Sequence, residues 1–181
     1  MDKSIVVYGS QYGATERYAR RIAEGLGCEA VPADRIRKGQ LAGYRTVVFG
    51  GGVYAGSVAG WKKIAPQCAA AGGRGWILFV CGLADPAKEK MQNEARMLFE
   101  KRLPAALAGK LPVFCLRGGI DYPKLRTKHR VMMAMLAHFL RRKKDPSEED
   151  RQLLATYGGK VDFFDPASAD AVIAAARNET N

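Results

Sequence analysis

The stretch from Tyr8 to Glu16, YGSQYGATE, restricts the fold most, because an apolar strand runs through a small-residue loop straight into a helix. Ser4 to Tyr8 (SIVVY) is β-branched and aromatic-ended, the composition of a strand buried on both faces. Gly9 and Gly13 allow a tight turn and close backbone approach, and Thr15 begins a helix with apolar positions at Tyr18, Ile22, Ala23 and Leu26. Open backbone N–H groups and the positive end of a helix dipole meet at this loop, with the hydroxyls of Ser10 and Thr15 beside them. An anion is the natural guest. The loop has no Lys or Arg, which suits a phosphate monoester better than a triphosphate with magnesium, and neither the Walker nor the Gly-x-Gly-x-x-Gly pattern is present. The plain alternative is a tight βα turn that binds nothing.

At 181 residues, 48% hydrophobic and 26% charged, the chain reads as one globular domain over residues 1–181 with one substantial core. The longest apolar run, Trp76 to Cys81, is too short to span a bilayer, and the N-terminus enters a strand with no leader pattern before it, so the expectation is a cytoplasmic protein. Cys28, Cys68, Cys81 and Cys115 are scattered without a Cys-x-x-Cys pair and read as free core thiols, with no metal site. The net charge of +11 points to an acidic partner: nucleic acid, anionic lipid or an acidic small molecule.

Strand and helix patterns alternate from the start. Cys28 to Ala33 reads as the second strand, followed by a polar connection in which Asp34 reads as a loop or capping residue. Arg45 to Gly50 reads as the third strand, emptying into the glycine-rich loop GGVYAGSVAG from Gly51 to Gly60, where Tyr54 either covers a flat ligand or plugs the sheet end. Trp61 to Ala71 is the second helix, and Gly75 to Gly82 a central strand. After the loop Leu83 to Asp85, Pro86 opens a third helix reaching about Leu107, and Lys110 to Leu116 is the fifth strand. Such alternation predicts a parallel, doubly wound sheet whose ligand lies beyond the carboxyl ends of the strands. The loops after the first, third and fourth strands all belong at that end.

From about 117 to 150 the pattern is interrupted by an insertion. Met132, Met135, Leu136, Phe139 and Leu140 follow helical spacing, with Lys124, Arg126, Lys128 and Arg130 before them and Arg141 to Lys144 after. Such a helix can lie on an anionic membrane, line a pocket for an apolar acid, bind a partner, or simply pack on the domain with a solvated basic rim. No DNA-reading module appears, so nucleic acid is not expected. Pro146 to Tyr157 reads as a helix, Lys160 to Phe164 as a short extended piece, and Pro166 to Arg177 as a final helix capped by Asp165.

Three segments, VVYGSQYGATERYARRIA, TVVFGGGVYAGSVAGW and LRGGIDYPKLRTKHRVMMAMLAHFL, together resemble the flavodoxin-like family, and within it the menaquinone-dependent protoporphyrinogen oxidase group. The resemblance implies a five-stranded sheet of order 2-1-3-4-5 and FMN as cofactor. Ser10, Gln11, Tyr12, Gly13, Ala14 and Thr15 would hold its phosphate, Val53, Tyr54, Ala55 and Gly56 would flank one side of the isoalloxazine, and Cys81, Gly82 and Leu83 another. It further implies oxidation of a reduced tetrapyrrole by FMN, reoxidised by a quinone. Lys124, Arg126, Lys128, Arg130, Met132 and Met135 would face substrate or the inner membrane surface. The cofactor would carry the electron chemistry, so no catalytic side chain is assigned. The other expectation is an FMN-binding electron carrier that docks a redox partner protein.

Overall fold

A computed structural model describes residues 3–83, 85–87 and 89–180, and two compact units are evident: 1–118 with 164–181, and 119–163. In the first, β1 (Ser4–Gly9), β2 (Ala30–Pro32), β3 (Thr46–Tyr54), β5 (Trp76–Gly82) and β6 (Val113–Arg117) form a parallel sheet in the order β2-β1-β3-β5-β6, with β4 (Ser57–Val58) antiparallel to the end of β3. This is the doubly wound order expected from the sequence. Its helices are α1 (Ala14–Leu26), α2 (Trp61–Ala70), α3 (Glu89–Glu100) and α6 (Asp170–Thr180).

Period-two alternation sorts the strand side chains into two cores. Ile5, Val7, Val47, Phe49, Leu78 and Val80 join Trp61, Ile64 and Phe99 on one face. On the other, Val6, Tyr8, Val48, Ile77 and Phe79 join Tyr18, Ile22, Val172 and Ile173. Each fully buried large apolar side chain contributes roughly 1.5–3 kcal/mol. The Tyr18 hydroxyl ties this second face together, donating to the Arg117 carbonyl at 2.8 Å and accepting from the Asp165 N–H at 3.1 Å.

Two of the predicted boundaries are corrected. The third strand does not stop at Gly50 but continues to Tyr54, so Gly51 and Gly52 lie in the sheet and not in a loop. These glycines mark close packing: a Cβ on Gly50 would sit 1.9 Å from the Phe79 ring, and one on Gly51 2.2 Å from Val58. The third helix ends at Glu100, short of Leu107, because Pro104 cannot continue it and Ala105–Leu107 forms a separate 3-10 turn. Ala84, in the predicted loop before that helix, and Lys88, in its predicted first turn, lie outside the described residues.

Cys68 and Cys81 lie buried in the core, whereas Cys28 and Cys115 are half-buried at its edge. Burial pushes Cys68 up to about 12 and Cys115 up to about 11. The unfolded chain ionises its thiols first as pH rises, so this contribution to stability is present below pH 9 and is lost above it. Cys68 alone is expected to cost about 1.4 kcal/mol per pH unit above about 9, read as a falling urea midpoint that Cys68→Ala flattens.

The second unit holds a two-stranded antiparallel sheet of β7 (Gly119–Asp121) and β8 (Lys160–Asp162), with α4 (Thr127–Arg142) and α5 (Glu148–Thr156) between them. It runs past the boundary near 150 because β8 returns to pair with β7. Ser147 caps α5 by accepting from the Asp150 N–H, while the Asp150 carboxylate accepts from the Ser147 N–H (2.8 Å) and from Lys143 Nζ (2.6 Å). The Lys143 and Ser147 hydrogen bonds hold the Asp150 carboxyl below the usual carboxylate range. Ser147→Ala is expected to destabilise this unit by about 1 kcal/mol, visible as faster amide exchange confined to α5.

The helix in the insertion is present, but its apolar positions do not form one packed face. Ala137 and Leu140 are buried, whereas Met135 and Phe139 are about two-thirds exposed, at 67% and 66%. The face that packs is centred between Ala137 and Leu140, so Met135 and Phe139, well around the helix from that pair, end up on the other side.

Candidate functional site

At the carboxyl end of β1, the chain leaves the sheet at Gly9, turns through Ser10–Gly13 and enters α1. Gly13 is the N-cap residue of that 13-residue helix, with φ at 92° and no side chain capping it. The first helical hydrogen bond runs from the Arg17 N–H to the Gly13 carbonyl at 3.0 Å, so the N–H groups of Ala14, Thr15 and Glu16 have no intrahelical acceptor. A Cβ on Gly13 would meet nothing within 4 Å, which leaves open space over the helix end. The Ser10 hydroxyl accepts from the Gly13 N–H at 3.1 Å and thereby fixes the turn, while Thr15 is buried beneath it.

The loop after β3 comes directly onto this turn. A Cβ on Gly9 would sit 2.1 Å from the Ala59 carbonyl oxygen, so the two segments touch backbone to backbone. Tyr54 and Tyr12 pack edge to face with centroids 5.7 Å apart, and the Tyr54 hydroxyl accepts from the Gln11 N–H at 3.4 Å. Burial, with further effects from Cys81 and Tyr12, raises the Tyr54 hydroxyl above its ordinary value, so it stays protonated through neutral pH. Ala55 follows at φ 49° and Gly56 at φ 70°, forming the tight turn between β3 and β4.

The end of β5 closes the third side. Cys81 is buried, Gly82 and Leu83 are half-buried, and the Gly118 N–H donates to the Gly82 carbonyl at 2.7 Å. A Cβ on Gly118 would meet Cys81 Sγ at 2.7 Å and the Ala14 Cβ at 3.3 Å, which brings the β5 and β6 ends against the first turn of α1. The structure therefore brings together the three segments containing Ser10–Thr15, Val53–Gly56 and Cys81–Leu83. Sequence reasoning singled out Gly9 for close backbone approach but missed Ala59 and Gly118 as the contacts that set their spacing; the small side chain at each was the available signal. A cavity of about 770 Å³ lies elsewhere, among Lys38, Tyr44, Arg45, Pro66 and Arg74 at the amino ends of the strands. Lys124, Arg126, Lys128, Arg130, Met132 and Met135 all belong to the second unit.

A sequence profile described as the flavodoxin domain matches residues 5–147, well over half of the chain. The chain belongs to the flavodoxin domain family. Similar solved structures include a flavodoxin from the domain Archaea, 13% identical with a TM-score of 0.50 over 99% of both chains. A flavoprotein in complex with FMN from Lactobacillus acidophilus NCFM is 15% identical, with a TM-score of 0.46 over 65% of this chain and 93% of its own. Oxidised flavodoxin 2 from Bacillus cereus is 16% identical, with a TM-score of 0.45 over 94% of this chain and 99% of its own. No curated protein matches the sequence significantly. At these identities the first of the three structures supports the flavodoxin fold. The site is read from this chain's own residues.

Proposed function

We propose that this flavodoxin-domain protein binds FMN at the junction of the three loops and serves as an electron-transfer protein. The observation that carries the reading is the uncapped start of α1 at Gly13, where three N–H groups and open space meet on a loop without side-chain cations. The residues present fit the group: Ser10–Thr15 would hold its phosphate, and Tyr54 with Val53, Ala55 and Gly56, and Cys81 with Gly82 and Leu83, would hold its ring system. When bound, FMN supplies the one- and two-electron chemistry. The protein's part is to bind and orient it. Tyr54 offers a neutral aromatic face whose hydroxyl accepts from the Gln11 N–H, and the buried Val80 and Cys81 near the end of β5 keep water from that side.

Titration with FMN tests this directly: saturable quenching of flavin fluorescence at one FMN per chain supports it, and an unperturbed flavin spectrum contradicts it. Tyr54→Ala is expected to weaken FMN about tenfold, whereas Tyr54→Phe, which keeps the ring and loses the hydroxyl, stays within about threefold of the parent. Equal affinities for all three proteins would remove Tyr54 from the site.

A narrower reading is supported by the resemblance of the insertion and by its charge, since eight cations and no carboxylate lie between Lys124 and Lys144. In it, the electron donor is a reduced tetrapyrrole whose propionates meet Lys124, Arg126, Lys128 or Arg130, with Met132 and Met135 against the ring, and a quinone is the acceptor. Anaerobic mixing of the FMN-loaded protein with protoporphyrinogen distinguishes it: flavin bleaching coupled to porphyrin fluorescence favours the oxidase, and a flavin that stays oxidised leaves the carrier.

A further inference from the structure

Helix α4 turns its packed side and its apolar side in different directions. Ala137 and Leu140 are buried, while Val131, Met135 and Phe139 recur every fourth residue at 53%, 67% and 66% exposure. At 100° per residue this strip points roughly 170° away from the buried pair. Met132 and Leu136 border it, and Lys128 and Arg142 stand at its two ends on the same side. Lys128 and Arg142 are exposed, and no ion pair among the described residues engages either of them. Other nearby cations are held in the unit: Arg130 donates to the Pro123 and Leu125 carbonyls, Arg141 stacks on Tyr157, and Lys143 pairs with Asp150.

An outward apolar strip of this size would be a liability on a purely solvated helix, and its surroundings say what covers it. Among the described residues no helix is long and apolar enough to cross a membrane. A second copy of this face is a poor match, since it would set one carboxylate-free run of eight cations against another. An anionic lipid surface matches both halves of the pattern: apolar side chains reach the acyl boundary and flanking cations meet phosphates. The 16 residues of α4 give a face about 24 Å long, enough to lie in the plane of the headgroups.

We infer that the Val131–Met135–Phe139 face of α4 docks this protein on a bilayer rich in anionic headgroups. The inference rests on the second unit alone and stands whether or not the first unit binds FMN.

The test is co-sedimentation of the full chain with phosphatidylglycerol–phosphatidylcholine vesicles, against phosphatidylcholine vesicles alone, at low and high salt. Salt-sensitive binding to the anionic vesicles is expected. The Met135→Ser/Phe139→Ser double variant is expected to lower partitioning at least tenfold, and Lys128→Gln/Arg142→Gln by about fivefold for each charge removed. All four side chains are exposed, so circular dichroism is expected to stay unchanged. Absence of binding to anionic vesicles overturns the inference. So does undiminished binding of the Met135→Ser/Phe139→Ser variant, which would mean adsorption by net charge alone. A dimer that the same substitutions dissolve, without vesicle binding, would overturn it as well.

Discussion

Gly9→Ala is expected to lower stability by about 3 kcal/mol or more and to abolish FMN binding in the protein that still folds. The added Cβ would lie 2.1 Å from the Ala59 carbonyl oxygen, 2.4 Å from its carbon and 3.0 Å from the Gly60 nitrogen. All three are backbone atoms, so no side-chain rotation relieves the clash. Overpacking by one methyl in a region that can relax costs about 1–3 kcal/mol, and a backbone obstacle puts this substitution at the upper end. Relief requires β1 and the loop after β3 to separate, and that separation opens the junction of Tyr54 with Gln11 and Tyr12. A lower urea midpoint with an unchanged slope, together with loss of flavin quenching, is the expected result. Gly13→Ala is the comparison: nothing crowds that position, but its φ of 92° makes a side chain costly by about 1 kcal/mol. Stability of Gly9→Ala within about 0.5 kcal/mol of the parent would mean that the two segments do not touch.

Trp61→Ala is expected to cost about 4 kcal/mol, the largest loss from any single core truncation in the first unit. Trp61 is 1% exposed, lies 5.0 Å from the ring centroids of both Phe49 and Phe99, and donates its indole N–H to the Phe99 carbonyl at 2.9 Å. It thus joins the start of α2, the middle of β3 and the end of α3. Truncation leaves a cavity and removes one of the two hydrogen bonds that the Phe99 carbonyl accepts, the other coming from the Arg102 N–H at 3.2 Å, and the melting temperature is expected to fall by roughly 10 °C. Trp61→Phe retains most of the contact and loses the hydrogen bond, so it is expected to cost about 1–2 kcal/mol. Equal losses for the two variants would show that the hydrogen bond, and not the aromatic packing, dominates.

The order of the parallel sheet was legible because SIVVY, RTVVFG and GWILFVCG are continuous apolar runs separated by helical periods, a pattern that few folds other than a doubly wound sheet accommodate. The turn at Ser10–Thr15 was legible for a similar reason: small residues between a buried strand and a helix leave little freedom. Gly51 and Gly52 misled because the run of glycines was read as a loop, when here it admits Val58 and Tyr54 against the strand. Tyr54 therefore stands on a strand end, a more rigid support than a loop centre. In the insertion, periodicity identified a helix but gave no information on which side packs. Small Ala137 allows close approach and decides the matter, leaving Met135 and Phe139 outward. The pairing of β7 with β8 spans a separation in sequence that local patterns do not encode.

A comparison of FMN with riboflavin, which differ by the phosphate alone, tests the phosphate cradle most directly. Binding of both to the purified chain, followed by fluorescence quenching at neutral pH, isolates what the uncapped end of α1 contributes. If Ser10–Thr15 holds a phosphate, FMN binds at least about a hundredfold more tightly, corresponding to two or more charge-assisted hydrogen bonds. Placing a carboxylate in the turn with Ala14→Asp removes most of that advantage and leaves riboflavin binding nearly unchanged. Equal affinities for FMN and riboflavin in the unmodified chain would contradict the phosphate cradle and, with it, the proposed function.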